Sequence, residues 1–361
     1  MAERLNSYFG FKNSDLISKK YHRRSIHQQG AVLILVLWVL SFLAVLAVNL
    51  GYGVRQKMTF MKRIESRSKA QHVVEGGVKV ALAFLIDDLQ RNQFQYTAAA
   101  KAFRHNNPSR FASIRVPDGT CEISYPDITT QSSDAKYFGV LDEESKININ
   151  TADKFILNRI VSETLSLDDN SAEKIAEAIY DWRQQGDSEI KGFSSDDYYS
   201  NLKFPYSKKN LPFELPDELL LIKGMDQAKY EILRNYVTVY GGGQVNINTA
   251  SKKVLMALGL DEVIVDKVLN VRRGTDGVDN TSDDHIFYRT FDIAAEVGAS
   301  LKLEAQEMRA IDQLNQRNLV TTNSSYYTIQ CRGFLDGSND QRKVIVTFNS
   351  TDNHIVYWNE K

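Results

Sequence analysis

Two stretches of this 361-residue chain concentrate oxygen ligands. The first, DWRQQGDSEIKGFSSDDYY, carries Asp181, Asp187, Glu189, Asp196 and Asp197. The second, RRGTDGVDNTSDDHIF, carries Asp276, Asp279, Asn280, Asp283 and Asp284. A hard cation such as calcium takes roughly six to eight oxygens, often from a loop that a glycine lets bend. Asp-Gly-x-Asp-Asn followed by Ser-Asp-Asp supplies that chemistry, although not at EF-hand spacing. The competing reading is a pair of solvated acidic loops. Zinc is not indicated, because the two cysteines are isolated and the six histidines scattered.

No catalytic constellation is visible. The chain has no H-E-x-x-H, no G-x-S-x-G and no phosphate loop; YGGGQVN lacks the lysine and hydroxyl such a loop needs. His72, His105, His285 and His354 have no nucleophile beside them in sequence. A formal net charge of -1 argues against a general nucleic-acid binder. Hydrophobic content of 43% with 25% charged residues is that of a folded protein of two or three domains.

The elements that must position these residues begin with an apolar run. No charge interrupts Ala31 to Val54, enough to span a bilayer as a helix. Lys19, Lys20, Arg23 and Arg24 precede it, which favours a cytoplasmic N-terminus and a periplasmic bulk. Arg55, Lys57, Lys62 and Arg63 follow, so the charge asymmetry is not clean. The core is too long for a cleaved secretion signal, whereas an ordinary signal anchor fits its length. Ala70, Val73, Val74, Val78, Leu82 and Leu85 then fall near one helical stripe. The expectation is one long helix from about residue 31 to about residue 91, with Gly76-Gly77 weakening the pattern and leaving room for a bend.

Strand-like alternation follows around Pro117-Asp118-Gly119 and returns at the C-terminus around Asp336-Gly337, with HIVYW as a further strand. Between them lie helical patterns: NSAEKIAEAIYDWRQQG, capped by Asn170 or Ser171 and stopped by Gly186, then PDELLLIKG, DQAKYEILRNYVTVY, ASKKVLMALG, DEVIVDKVLNVRR and SLKLEAQEMRAIDQLNQ. A helical domain is thus inserted into a small sheet. Cys121 and Cys331 fall on strands from opposite sides of the insertion. They are either a disulfide or two separate buried thiols, and geometry decides.

Within the insertion KININTADKFI at Lys146 recurs as QVNINTASKKV at Gln244. The shared core is Asn148 to Ala152 and Asn246 to Ala250, too close a match for chance. Its asparagines can bond local backbone, Asn or Thr can cap the following helix, and the isoleucine can anchor inward. The same opening occurs in helix-hairpin-helix DNA-binding modules. Those grip phosphate with a Gly-apolar-Gly hairpin, but here the candidates read Gly224-Met225-Asp226 and Gly259-Leu260-Asp261. A carboxylate at the third position repels phosphate, so the hairpins read as packing units.

Gly30 stands at the edge of the apolar run behind HQQ. This junction resembles that of type IV prepilins and pseudopilins, whose peptidase cuts after such a glycine. Ala31 would then be the N-terminus, and the same peptidase usually methylates it. The fifth mature position is Leu35, where most of those proteins carry glutamate; its absence is typical of the minor pseudopilin K of type II secretion systems. The two NINTA segments, AIYDWRQQGDSE, DDYY and KKNLPFELPDELLLIKGM also resemble that family, from Gln29 onward.

The resemblance implies an α+β, pilin-like fold: a long N-terminal helix packed on a small antiparallel sheet, with a large all-α domain inserted between strands. The divisions would be a leader (1–30), a membrane-spanning half-helix (31–54), a soluble half-helix with the first strands (55–146), the insertion (147–317) and closing strands (318–361). It implies a non-enzymatic inner-membrane protein at the tip of the secretion pseudopilus. Its partners would be other minor pseudopilins, the major pseudopilin, the prepilin peptidase and the inner-membrane assembly platform, with no nucleic acid. It also raises the expectation of one or two calcium ions on Asp276, Asp279, Asp283 and Asp284 and on Asp187, Glu189, Asp196 and Asp197. The first stretch departs from the family's Asp-Trp-x-Asp and Gly-Ala-Glu-Asp patterns, having Arg183-Gln184-Gln185 and Phe193-Ser194-Ser195 instead.

Overall fold

A computed structural model describes residues 18–94, 107–128, 135–184, 195–279, 281, 283–338 and 340–360. Asp187, Glu189, Asn280 and the expected stop at Gly186 lie outside them. The chain forms two units, Met1–Arg67 and Ser68–Lys361. The described residues of the first are helical, as the opening part of α1 (Ser18–Phe94). Its apolar side chains are exposed, Trp38 at 76% and Phe42 at 67%, and the helix is long and apolar enough to cross a membrane. A naked apolar surface of this size needs lipid or neighbouring helices around it.

In the second unit the remainder of α1 lies on a six-stranded antiparallel sheet. After α2 (Pro108–Phe111) come β1 (Ile114–Val116), β2 (Gly119–Ile123) and the small hairpin β3 (Tyr125–Pro126) with β4 (Lys136–Tyr137). β5 (Leu141–Asp142) leads into the insertion. The order across the sheet is β1-β2-β10-β11-β12, with β5 also pairing β10. The closing strands are β10 (Tyr326–Leu335), β11 (Gln341–Asn349) and β12 (His354–Glu360), as their alternation predicts. Val73, Val74, Val78, Ala81 and Leu85 of α1 meet Ile123, Ile329, Val344, Val346 and Phe348 in one core.

Three glycines bring helix and sheet together. A Cβ on Gly77 would meet the Cys121 sulfur at 2.5 Å; one on Gly333 would meet Val74 at 2.6 Å; one on Gly119 would meet Val73 at 2.9 Å. Gly76 and Gly77 stay within the helix. Their small size serves close packing, as glycine does where another backbone approaches.

The insertion has its own core, from Ile147 to Val320. It contains two similar halves. The first runs β6 (Ile147–Asn148), α3 (Lys154–Leu165), α4 (Asp169–Arg183), α5 (Ser195–Ser200), α6 (Gln227–Leu233) and β7 (Val237–Thr238). The second runs β8 (Val245–Asn246), α7 (Lys252–Ala257), α8 (Glu262–Arg272), α9 (Ile293–Ser300), α10 (Ala305–Gln316) and β9 (Val320–Thr321). In each half the first strand pairs in parallel with the last.

These short ladders are absent from the sequence reading. The pattern in DQAKYEILRNYVTVY stops being helical after Leu233, because Val237-Thr238 have β-branched side chains and find a partner strand. PDELLLIKG forms a 3-10 turn, Pro216–Leu221, rather than an α-helix. The N-cap position of α4 is Asp168, whose side chain makes no capping bond, and Asn170 and Ser171 lie inside the helix.

Gly333→Ala is expected to destabilise the sheet unit by about 1–3 kcal/mol, the usual cost of overpacking. A shifted denaturation midpoint of the detergent-solubilised chain, with the helix content of the folded state unchanged, is the check.

Candidate functional site

The repeated NINTA segments make the same turn twice. Ile149 and Ile247 are 0% and 1% exposed, the anchors their sequence suggests. Asn148 Oδ1 accepts from Asn150 N at 2.8 Å, and Asn246 Oδ1 from Asn248 N at 3.0 Å. Beyond that local bond the asparagines reach across the fold. The Asn150 amide both accepts from Phe213 N (2.7 Å) and donates to Phe213 O (2.9 Å). Asn248 does the same with Phe287, at 2.9 Å each way. Helix capping, expected of Asn or Thr, instead falls to Asp153 on Ile156 N and Ser251 on Val254 N.

Each turn is also held by an arginine that sequence reasoning missed. Arg183, last residue of α4, donates to Ile149 O and Ala152 O. Arg272, last residue of α8, donates to Ile247 O (3.3 Å) and Ala250 O (2.6 Å). The equivalence was legible only as the same residue type closing the second helix of each half. Burial lowers the pKa of both guanidiniums, though an arginine stays charged. Turn carbonyls and, for Arg272, a carboxylate compensate the desolvation.

Three consecutive acids then join the insertion to the sheet. Asp142, 2% exposed, accepts from Asn246 Nδ2 (3.0 Å), Thr249 Oγ1 (2.6 Å) and Ser324 Oγ (2.7 Å). Glu143 accepts from Lys146 Nζ at 3.0 Å and Thr238 Oγ1 at 2.7 Å. Glu144 accepts from the backbone N–H of Ser325 and of Tyr326. Burial is the first cause of its raised pKa, opposed by those N–H groups.

The second acidic stretch leaves α8 and folds back on itself. Asp279 is shared by Arg272 (3.1 Å) and Arg273 (3.0 Å). Asp283 accepts from Thr275 Oγ1 and N (2.7 Å each), Asp276 N (3.1 Å) and Thr281 Oγ1 (2.7 Å), with the Thr275 hydroxyl first among the causes that hold its pKa down. Asp276 accepts from Val278 N (2.8 Å), and Asp284 from Thr281 N (3.1 Å). In the first stretch Asp181 meets Lys208 Nζ at 3.1 Å with both side chains buried, and Asp197 is exposed. Among the described residues no three acidic, histidine or cysteine side chains converge so as to hold a metal. The second stretch has the donor types calcium takes, and its described carboxylates are turned to internal partners. Gly30 and Ala31 are exposed within α1, and Cys121 and Cys331 lie together beneath Gly77.

A helix long and apolar enough to cross a membrane, an antiparallel sheet packed on its later residues and a duplicated insertion define an α+β, pilin-like fold. Residues 145–242 match the family model described as type II secretion system (T2SS), protein K, a span that coincides with the first half of the insertion. A putative type II secretion system protein K of Escherichia coli (strain K12) is 24% identical over 61% of this chain and 65% of its own length. The type II secretion system protein K of Pectobacterium carotovorum subsp. carotovorum is 26% identical over 65% of this chain and 72% of its own. That of Aeromonas hydrophila is 30% identical over 31% of this chain and 36% of its own. This chain therefore spans a little under two thirds of the first of these relatives. A chain in the crystal structure of the GspK-GspI-GspJ complex from the enterotoxigenic Escherichia coli type 2 secretion system shares the fold, with a TM-score of 0.58 at 14% identity, over 83% of this chain and 99% of that one. Family model, relatives and fold thus all liken this chain to type II secretion system protein K.

Arg272→Ala strands the turn carbonyls of Ile247 and Ala250 and leaves Asp279 to Arg273. It should destabilise the insertion by about 1–3 kcal/mol per orphaned buried group. Urea unfolding followed by tryptophan fluorescence measures the loss; a change below about 0.5 kcal/mol, the scale of an ordinary surface substitution, would show that the arginine holds nothing.

Proposed function

We propose that this protein is a minor pseudopilin that caps the tip of the periplasmic type II secretion pseudopilus and helps start its assembly. The observation that carries the reading is the combination of an exposed apolar half-helix with a second, separate core fixed onto the pilin-like sheet. The apolar half-helix would pack among other pilin-like helices in the inner membrane and then in the fibre. A body as large as the insertion cannot be stacked in the interior of a helical array, so it belongs at an end. The missing acid at Leu35 supports the same position: a subunit at the tip has no need of a carboxylate for the amine of a subunit beyond it.

In this reading the N-terminus is cytoplasmic and the bulk periplasmic. The prepilin peptidase cuts between Gly30 and Ala31 and methylates Ala31. The partners are other minor pseudopilins, the major pseudopilin and the assembly platform of the inner membrane. The resemblance to a chain from a GspK-GspI-GspJ complex supports the minor pseudopilins among them. Calcium on the second acidic stretch belongs to the same reading, beside the internal cations that the described acids already meet: Arg272 and Arg273 for Asp279, Lys208 for Asp181.

Mass measurement of the protein from native membranes should give an N-terminus at Ala31. A chain still beginning upstream of Gly30 overturns the pseudopilin reading, and Gly30→Leu should accumulate the uncut form. Removing divalent cations with a chelator should lower the thermal midpoint and added calcium should restore it; an unchanged midpoint would remove the ion from these loops.

A further inference from the structure

Cys121 and Cys331 sit on neighbouring strands, β2 and β10, at a diagonal. Cys121 is opposite Gly333, and Cys331 is opposite Ile123. Both are fully buried free thiols, and both face α1. The Cys121 thiol donates to Val73 O at 2.9 Å and the Cys331 thiol to Val74 O at 3.7 Å. A Cβ placed on Gly77 would lie 2.5 Å from the first sulfur and 3.0 Å from the second. The two sulfurs therefore occupy one pocket, cleared by the absence of a side chain at Gly77. The Cys331 thiol, close to the Cys121 sulfur and buried, has its pKa pushed up.

We propose that Cys121 and Cys331 are joined by a disulfide that ties β2 to β10 beneath Gly77. The proposal rests on the periplasmic placement of this domain, because disulfides form and persist outside the cytoplasm. The oxidant is a protein dithiol–disulfide exchange catalyst. One cysteine thiolate attacks the catalyst's disulfide, forming a mixed disulfide and releasing a catalyst thiolate. The other cysteine thiolate then attacks the substrate sulfur of that mixed bond and expels the second catalyst sulfur. Two protons and two electrons leave this chain, and the catalyst's disulfide becomes two thiols. Exchange precedes closure of the sheet, since neither sulfur is reachable in the folded unit. The bond encloses the whole insertion in a covalent loop. The unfolded chain then loses freedom in proportion to the logarithm of a long loop.

The test uses the full chain. Spheroplasts are treated with protease to establish which side of the membrane the domain occupies, and a parallel sample is denatured in an alkylating reagent and mapped by mass spectrometry. A linked Cys121–Cys331 peptide, lighter by two hydrogens than the reduced pair, is expected. Two alkylated cysteines in a protease-accessible domain overturn the disulfide, whereas protease resistance overturns the placement instead. A second arm does not depend on placement. The detergent-solubilised chain is reduced, denatured and refolded with oxidised and reduced glutathione. The linked peptide should form, and its reduction should lower the thermal midpoint. Failure to link in a correctly refolded chain sinks the proposal. Cys121→Ala/Cys331→Ala, refolded alongside, should have the lower midpoint with or without reductant.

Discussion

The three acids at the end of β5 are the point on which this architecture turns. A single run of backbone, Asp142 to Glu144, binds the second NINTA turn, the return strand of the first half and the start of β10. Most of their side-chain partners are distant in sequence, the exceptions being Lys146 for Glu143 and the Glu144 N–H for Asp142. Carboxylates removed from water are costly unless hydrogen-bonded. Here the cost is offset only when both halves of the insertion and the sheet are in place together. Two hydrophobic cores that could otherwise drift are thereby set in one register.

The duplication explains how such a body is built from modest parts. Each half closes a short parallel ladder, seats an isoleucine, clasps an aromatic residue's backbone with an asparagine amide and locks its turn with an arginine. The chain pairs the repeated pentapeptide with partners that share little else in sequence. The contacts go to backbone groups, which every residue carries. The surrounding helices are therefore free to differ while the turn stays the same, as the six-residue α5 and the eight-residue α9 do.

Much of the fold was legible because it rests on periodicity and punctuation. The helical stripe of Val73, Val74, Val78 and Leu85, the hairpin at Asp118 and the alternation of the closing strands all follow from local pattern. What escaped was set by contacts distant in sequence. Val237-Thr238 become a strand only because Ile147-Asn148 lie alongside. Gly77 reads as a helix weakener until the sulfurs beneath it are seen. In the second acidic stretch composition is visible in the sequence and orientation is not. Arg272 and Arg273, which face Asp279, read only as the end of a helix.

The sheet is interrupted between β2 and β10 by more than half the chain, and this has a temporal consequence. Emerging from its N-terminal end, the polypeptide presents β1 and β2 long before the strands that cover them exist. The halves of the insertion, whose ladders join residues nearer in sequence, reach their native contacts sooner, since distant pairings are slow to form. A bare strand edge meanwhile invites intermolecular pairing. The last residues to be made, in β10 to β12, are thus the ones that complete the earliest-made layer, and the molecule matures from its middle outward.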